Sequence, residues 1–177
     1  MALWIARTVE RCANWRVAAA ALAGIAGCVA GLAWRQARLG GLDLLDGRGW
    51  YTPGDAAALF DALDGLNAGA RAFYALTALT IDMVFPVCYG LLFAVLLFRL
   101  FRGGAPLYLL PLALAAADVL ENVTVAALVL SHDGAPSPLA WLAAAFTLVK
   151  TVLIVATLAA VCAGGALRLW ARIRQSR

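Results

Sequence analysis

The sequence predicts an all-α protein, a polytopic membrane four-helix bundle with a short periplasmic amphipathic helix between the first and second spans. Three observations carry that expectation. Hydrophobic residues make up 64% of 177 positions and charged ones only 14%, with a mean hydropathy of +0.88; soluble domains are about 45–50% apolar and about 25% charged. The apolar residues gather into four long runs without strand-like alternation, so their backbone hydrogen bonds must close as helix rather than as a barrel. The charges fall between the runs, apart from a few that stand inside them. A single membrane domain over residues 1–177 follows, with the lipid bilayer as its main surroundings.

The first span is expected over residues 17–34, behind Arg7, Arg11 and Arg16. Gly24, Gly27 and Gly31 give it a small-residue face for close helix packing, inside the bundle or against a partner helix. Ile25-Ala26-Gly27-Cys28 also fits a lipidation pattern at Cys28, but the chain stays apolar through Trp34, which favours an uninterrupted span. Residues 35–71 form a loop too long for a hairpin, and it carries its own helix signal in Thr52-Pro53-Gly54-Asp55. Thr52 suits the N-cap, Pro53 the first turn and Asp55 the reciprocal capping carboxylate. Leu59, Phe60, Leu63 and Leu66 then recur at helical spacing against Asp55, Asp61 and Asp64. The plainer expectation is a helix lying on the membrane surface, the alternative a lid over a site in the bundle. The remaining spans are expected over 72–98, 107–130 and 139–163, each long enough for a hydrocarbon core of about 30 Å.

Orientation follows from the arginines, which number 13 against one lysine. Nine lie on one side: Arg7, Arg11, Arg16, Arg99, Arg102, Arg168, Arg172, Arg174 and Arg177. The other side has Arg35, Arg38, Arg48 and Arg71, in a loop that also holds five Asp. Both termini are therefore expected in the cytoplasm. The alanine-rich, arginine-biased composition suggests a bacterial protein of the inner membrane. The basic residues flank spans instead of interleaving with aromatics, so no nucleic-acid partner is expected.

Ionisable residues inside spans are costly and mark functional sites by default. Four occur here: Asp82, Asp118, Glu121 and Lys150. Counted from the loop ends of their spans at about 1.5 Å per residue, all four fall roughly 13–18 Å deep, which makes one layer from three helices. Asp118, Glu121 and Asn122 share a helix face, as do Thr147, Lys150 and Thr151, and Tyr89 stands two turns from Asp82. Pro86 cannot donate to the carbonyl of Asp82, which predicts a kink and a free oxygen beside an acid.

Three carboxylates against one ammonium leave that layer at net −2 if all are ionised. Raised pKa values or a cationic ligand group would balance it. Asp82, Asp118, Glu121 and Lys150 are thus the expected ionisable centre, with Tyr89, Asn122, Thr147 and Thr151 as ligand-binding neighbours. The site would bind a lipid-like or cationic small molecule, or relay protons, in a pocket opening toward the periplasmic leaflet. A protonated acid beside an ionised one could also serve acid/base catalysis on a lipid substrate. The alternative is an accessory subunit in which the same residues only lock the helices.

No cofactor or metal is expected, because Lys150 would compete with a hard cation for the oxygens. The four cysteines lack metal-binding spacing. His132, the only histidine, is expected to be a solvated loop residue.

The segments YALTALTIDMVFPVCYG (74–90), ADVLEN (117–122) and FTLVK (146–150), with Trp50-Tyr51-Thr52-Pro53 in the loop, resemble the landmarks of a family of bacterial four-span membrane proteins with no assigned activity. That resemblance implies the same fold. In architecture, a four-helix topology with buried acids, the chain is also similar to the sterol isomerase and sigma-2 receptor group. The likeness implies a bundle that holds amphipathic sterols or amines.

Overall fold

A computed structural model of the chain describes residues 2–12, 14–101 and 106–175. Arg102 and Arg177, two of the topology arginines, lie outside the described residues. The helices are α1 (Ala2–Cys12), α2 (Trp15–Arg38), α3 (Pro53–Leu66), α4 (Ala70–Ala78), α5 (Ile81–Leu100), α6 (Leu109–Leu130) and α7 (Leu139–Gln175). Single 3-10 turns occur at Leu45–Gly47 and Pro106–Tyr108, and no strand occurs among the described residues. Four helical stretches are long and apolar enough to cross a membrane: α2, α4 with α5, the turn at Pro106 with α6, and α7. The chain is an all-α, multi-pass membrane protein.

The connections between α2 and α4 and between α6 and α7 share one end of the bundle, here the loop end. At the other, terminal end lie α1, the connection between α5 and α6, and the tail of α7. The centre belongs to α5, which packs on α1, α2, α6 and α7, while α6 packs on α7. Half of the spanning window of the α6 segment is buried inside the protein, against 11% for α2 and α7. The α6 segment is thus the most enclosed of the four, and α2 and α7 turn most of their surface outward.

Three boundaries differ from the sequence expectation, each for a local reason. The charge of Arg35 suggests an end at Trp34, yet α2 continues to Arg38 because Arg35 turns into the protein and is 4% exposed. The break in the second span comes at Thr80 (φ −122°, ψ −86°), one and a half turns before Pro86, and α5 runs through the proline. α7 is 37 residues, about 55 Å of helix against a hydrocarbon core of about 30 Å. Its last turns leave the bundle carrying Arg168, Arg172 and Arg174. Arg168 donates to the backbone carbonyls of Leu100 (3.1 Å) and Arg99 at the end of α5, where a cation suits the unpaired acceptors.

The glycine face of α2 divides. A Cβ at Gly24 would lie 2.6 Å from Cys88 Sγ and one at Gly31 3.1 Å from Ile81, so both positions are pressed against α5. Gly27 has nothing within 4 Å and faces away. Cys28 is buried in mid-helix, within a span that continues on both sides of it.

The capping box at α3 forms as its residues predict. Thr52 Oγ1 accepts the Asp55 N–H at 3.2 Å, and Asp55 accepts the Thr52 N–H at 2.8 Å. The apolar stripe of the helix faces the bundle. Leu59, Phe60 and Leu63 are buried in one core with Tyr74 of α4, Val125 and Val129 of α6, and Ala140, Ala143 and Ala144 of α7. Removing such side chains from water is worth roughly 1.5–3 kcal/mol each. Only Leu66, at the end of the stripe, stays exposed. His132 departs from its expectation for the same reason. Its ring is buried edge-on against Phe60, and Nε2 lies 3.0 Å from Asp61 of α3.

Candidate functional site

Of the four ionisable residues read from depth, Asp118, Glu121 and Lys150 meet beneath the loop end, whereas Asp82 stands beside them, grouped with two residues of the first loop region. The polar layer consists of two linked groups, each with one cation between two carboxylates. In the first, Arg35 of α2 lies 2.5 Å from Asp46 and 3.2 Å from Asp82 of α5. Tyr74 of α4 donates its hydroxyl to Asp46 at 3.0 Å and accepts the Leu45 N–H at 3.2 Å, with the guanidinium 5.5 Å from its ring centre. In the second, Lys150 of α7 lies 3.3 Å from Asp118 and in close contact with Glu121, both on α6. Tyr89 donates to Asp118 at 2.7 Å and Thr147 to Glu121 at 2.7 Å. The groups touch where Lys150 Nζ reaches the backbone carbonyl of Asp46, at 3.4 Å.

Of the predicted neighbours, Tyr89 and Thr147 hold carboxylates directly. Asn122 does something else. Its Nδ2 donates at 2.7 Å to the backbone carbonyl of Asp82, the oxygen that Pro86 leaves without a helical donor. The expected free carbonyl is therefore occupied by a side-chain donor. Thr151 donates to the Thr147 carbonyl and borders the cavity described below.

Arg35, Asp46, Tyr74 and Tyr51 belong to the layer and do not stand out by depth counting. Arg35 follows the apolar run, so it reads as a loop charge. The available signal is its spacing, since Gly24, Cys28, Gly31 and Arg35 fall at steps of four, three and four on the face that meets α5. Asp46 has no such signal, because only the tertiary fold brings its turn over the bundle. Tyr51 is 1% exposed, and its hydroxyl lies near Thr147 and Glu121 without a hydrogen bond of normal geometry. Burial pushes this loop phenol up to about 12.

A cavity of about 360 Å³ adjoins the second group. Its polar end is formed by Asp118, Tyr89 and Lys150, its walls by Phe85 and Phe93 of α5, Leu114 of α6, Ile25 of α2 and Ile154 of α7. Phe93 follows Tyr89, Leu114 precedes Asp118 and Ile154 follows Lys150, so the cavity extends from the layer toward the terminal end. The expected opening toward the loop end is corrected: there Leu45, Tyr51 and α3 close the site with buried side chains. α2 and α7 flank α5 with at most marginal contact between them.

The charge count survives the enlargement, since two cations and four carboxylates give 2 − 4 = −2 when all are ionised. Among the described residues no three His, Cys, Asp or Glu side chains converge as a metal-holding set. The carboxylate oxygens instead meet Arg, Lys, Tyr and Thr donors. Comparison with family models, with curated proteins and with solved structures found no match.

Proposed function

We propose that this membrane protein binds a lipid-like small molecule with a cationic head in the cavity beneath Asp118. The observation that carries the reading is the pairing of an apolar, aromatic-walled space with a polar end of unbalanced negative charge. About 360 Å³ falls at the lower end of small-molecule pockets, roughly 300–1,000 Å³. An ammonium head would find Asp118 and the faces of Phe85 and Tyr89, whose rings meet edge-to-face at 5.2 Å. It would also offset part of the charge excess, while its chain lies along Phe93, Leu114 and Ile154. The chain would enter sideways from the bilayer between α2 and α7.

The architectural likeness to bundles that hold sterols or amines agrees with this reading. The arginine distribution supports an inner-membrane protein with both termini in the cytoplasm. Proton transfer between Asp118, Glu121 and Lys150 belongs to the same site as a property of its shared charge. A purely structural role fits the Arg35 group better than the Lys150 group, because Lys150 lines the cavity and Arg35 does not.

The test is thermal unfolding of the full chain in lipid nanodiscs with dodecylamine or uncharged dodecanol as probe. Dodecylamine is expected to raise the midpoint in a saturable manner, and dodecanol to raise it far less. Equal shifts with both probes, or none with either, would remove the cationic-head reading.

A further inference from the structure

A second cavity, about 300 Å³, lies at the loop end between the last turns of α2 and the start of α4. It is lined by Trp34, Arg38, Leu39, Asn67, Ala70 and Phe73, shares no lining residue with the Asp118 cavity, and has no carboxylate in its wall. The Arg38 guanidinium stacks 5.1 Å from the Trp34 ring, which meets Phe73 edge-on at 5.7 Å.

The neighbouring arginines show what is unusual about Arg38. Arg35 has Asp46 and Asp82, Arg48 has Asp43, and Arg71 has Asp64 at 2.7 Å with the His132 carbonyl at 2.9 Å. Arg38 has no carboxylate within ion-pair distance among the described residues. A guanidinium stacked on an indole keeps its in-plane N–H donors free, in the fork that matches a phosphate. The position also matters. Arg38 ends the first span and Ala70 begins the second, so the cavity stands where the hydrocarbon core gives way to lipid headgroups, the level that Trp favours.

We propose that this cavity holds the phosphate group of an anionic phospholipid. Arg38 pairs with the phosphodiester, Asn67 supplies a further polar contact, and Leu39, Phe73 and Trp34 cover the start of the lipid's apolar part. A zwitterionic headgroup fits less well, because its ammonium would find no carboxylate in the wall.

The test is native mass spectrometry of the full chain released from detergent with phosphatidylglycerol, phosphatidylcholine or inorganic phosphate added. The wild-type protein is expected to retain phosphatidylglycerol over phosphatidylcholine. Arg38→Gln should lower that occupancy about fivefold, the effect of one cation at an anionic lipid surface. Arg48→Gln, which changes net charge equally, should leave it unchanged. Because the Arg38 side chain is exposed and makes no ion pair, its replacement spares the fold, and an unchanged melting midpoint verifies that. Equal retention of the two lipids, full retention in Arg38→Gln, or the same loss in Arg48→Gln would overturn the proposal. Displacement of the lipid by an equal concentration of inorganic phosphate would overturn the lipid assignment.

Discussion

Two groups of the same composition, each a cation between two carboxylates, stand side by side in this bundle and differ in what surrounds them. The Arg35 side chain is 5% exposed and enclosed by Asp46, Asp82 and Tyr74, with the loop turn above it. The Lys150 side chain is 18% exposed and borders a cavity. Composition alone does not separate a clamp from a site. The distinction comes from whether space adjoins the charge, since an enclosed ion pair can only hold elements together whereas one beside a cavity can exchange partners. Arg35 ties α2, α5 and the first loop at one point. Lys150 links α6 and α7 with its acids buried, and its own side chain is the part that opens on the cavity.

The largest expected effect breaks the clamp. Arg35→Met leaves Asp46 and Asp82 without a counter-charge and should cost about 3–5 kcal/mol, the usual result of removing one partner of a buried pair. Chemical unfolding in detergent measures it, and limited proteolysis should show the first loop released before the helices. Next, Asn122→Leu returns the Asp82 carbonyl to an unsatisfied state and should cost about 1–3 kcal/mol. If that variant is as stable as the wild type, Asn122 does not compensate for Pro86. Smaller again, Thr52→Ala removes the α3 cap for about 1 kcal/mol, with hydrogen exchange in α3 rising and that in α6 unchanged.

The same cap carries a pH dependence. Hydrogen bonds from the Thr52 N–H and hydroxyl hold the Asp55 carboxyl below the ordinary carboxylate range. With its folded pKa below the unfolded one, its contribution is complete above about pH 3.9 and is lost as pH falls through the folded value. Acid should therefore loosen α3, and Asp55→Asn should remove that part of the acid response. An acid profile of α3 exchange that is identical in the variant would contradict the assignment.

Much of this was legible in the sequence because the bilayer makes strong demands on composition. Four runs correspond to four spans, and depth places Asp82, Asp118, Glu121 and Lys150 in one layer, within which Asp82 pairs with Arg35 and the other three with one another. The residues that escaped did so for physical reasons. Arg35 looks like a flanking charge until its face on α2 is compared with Gly24, Cys28 and Gly31. Asp46 is brought in by a loop whose path no periodicity encodes. The direction of the cavity depended on which side of the layer was filled, and α3 filled the loop side because its Leu59, Phe60 and Leu63 pack on the bundle. His132 was drawn in with the same helix.

The most direct measurement is the melting of Asp118→Asn in nanodiscs with and without dodecylamine. Asparagine still accepts from Tyr89 and Lys150 keeps Glu121, so the variant alone should melt within about 1 kcal/mol of the wild type. It should lose the dodecylamine shift, while Asp82→Asn, away from the cavity, should keep it. A variant that keeps the full shift, or one that unfolds regardless of amine, would contradict a binding role for the Lys150 group and return the whole layer to helix packing.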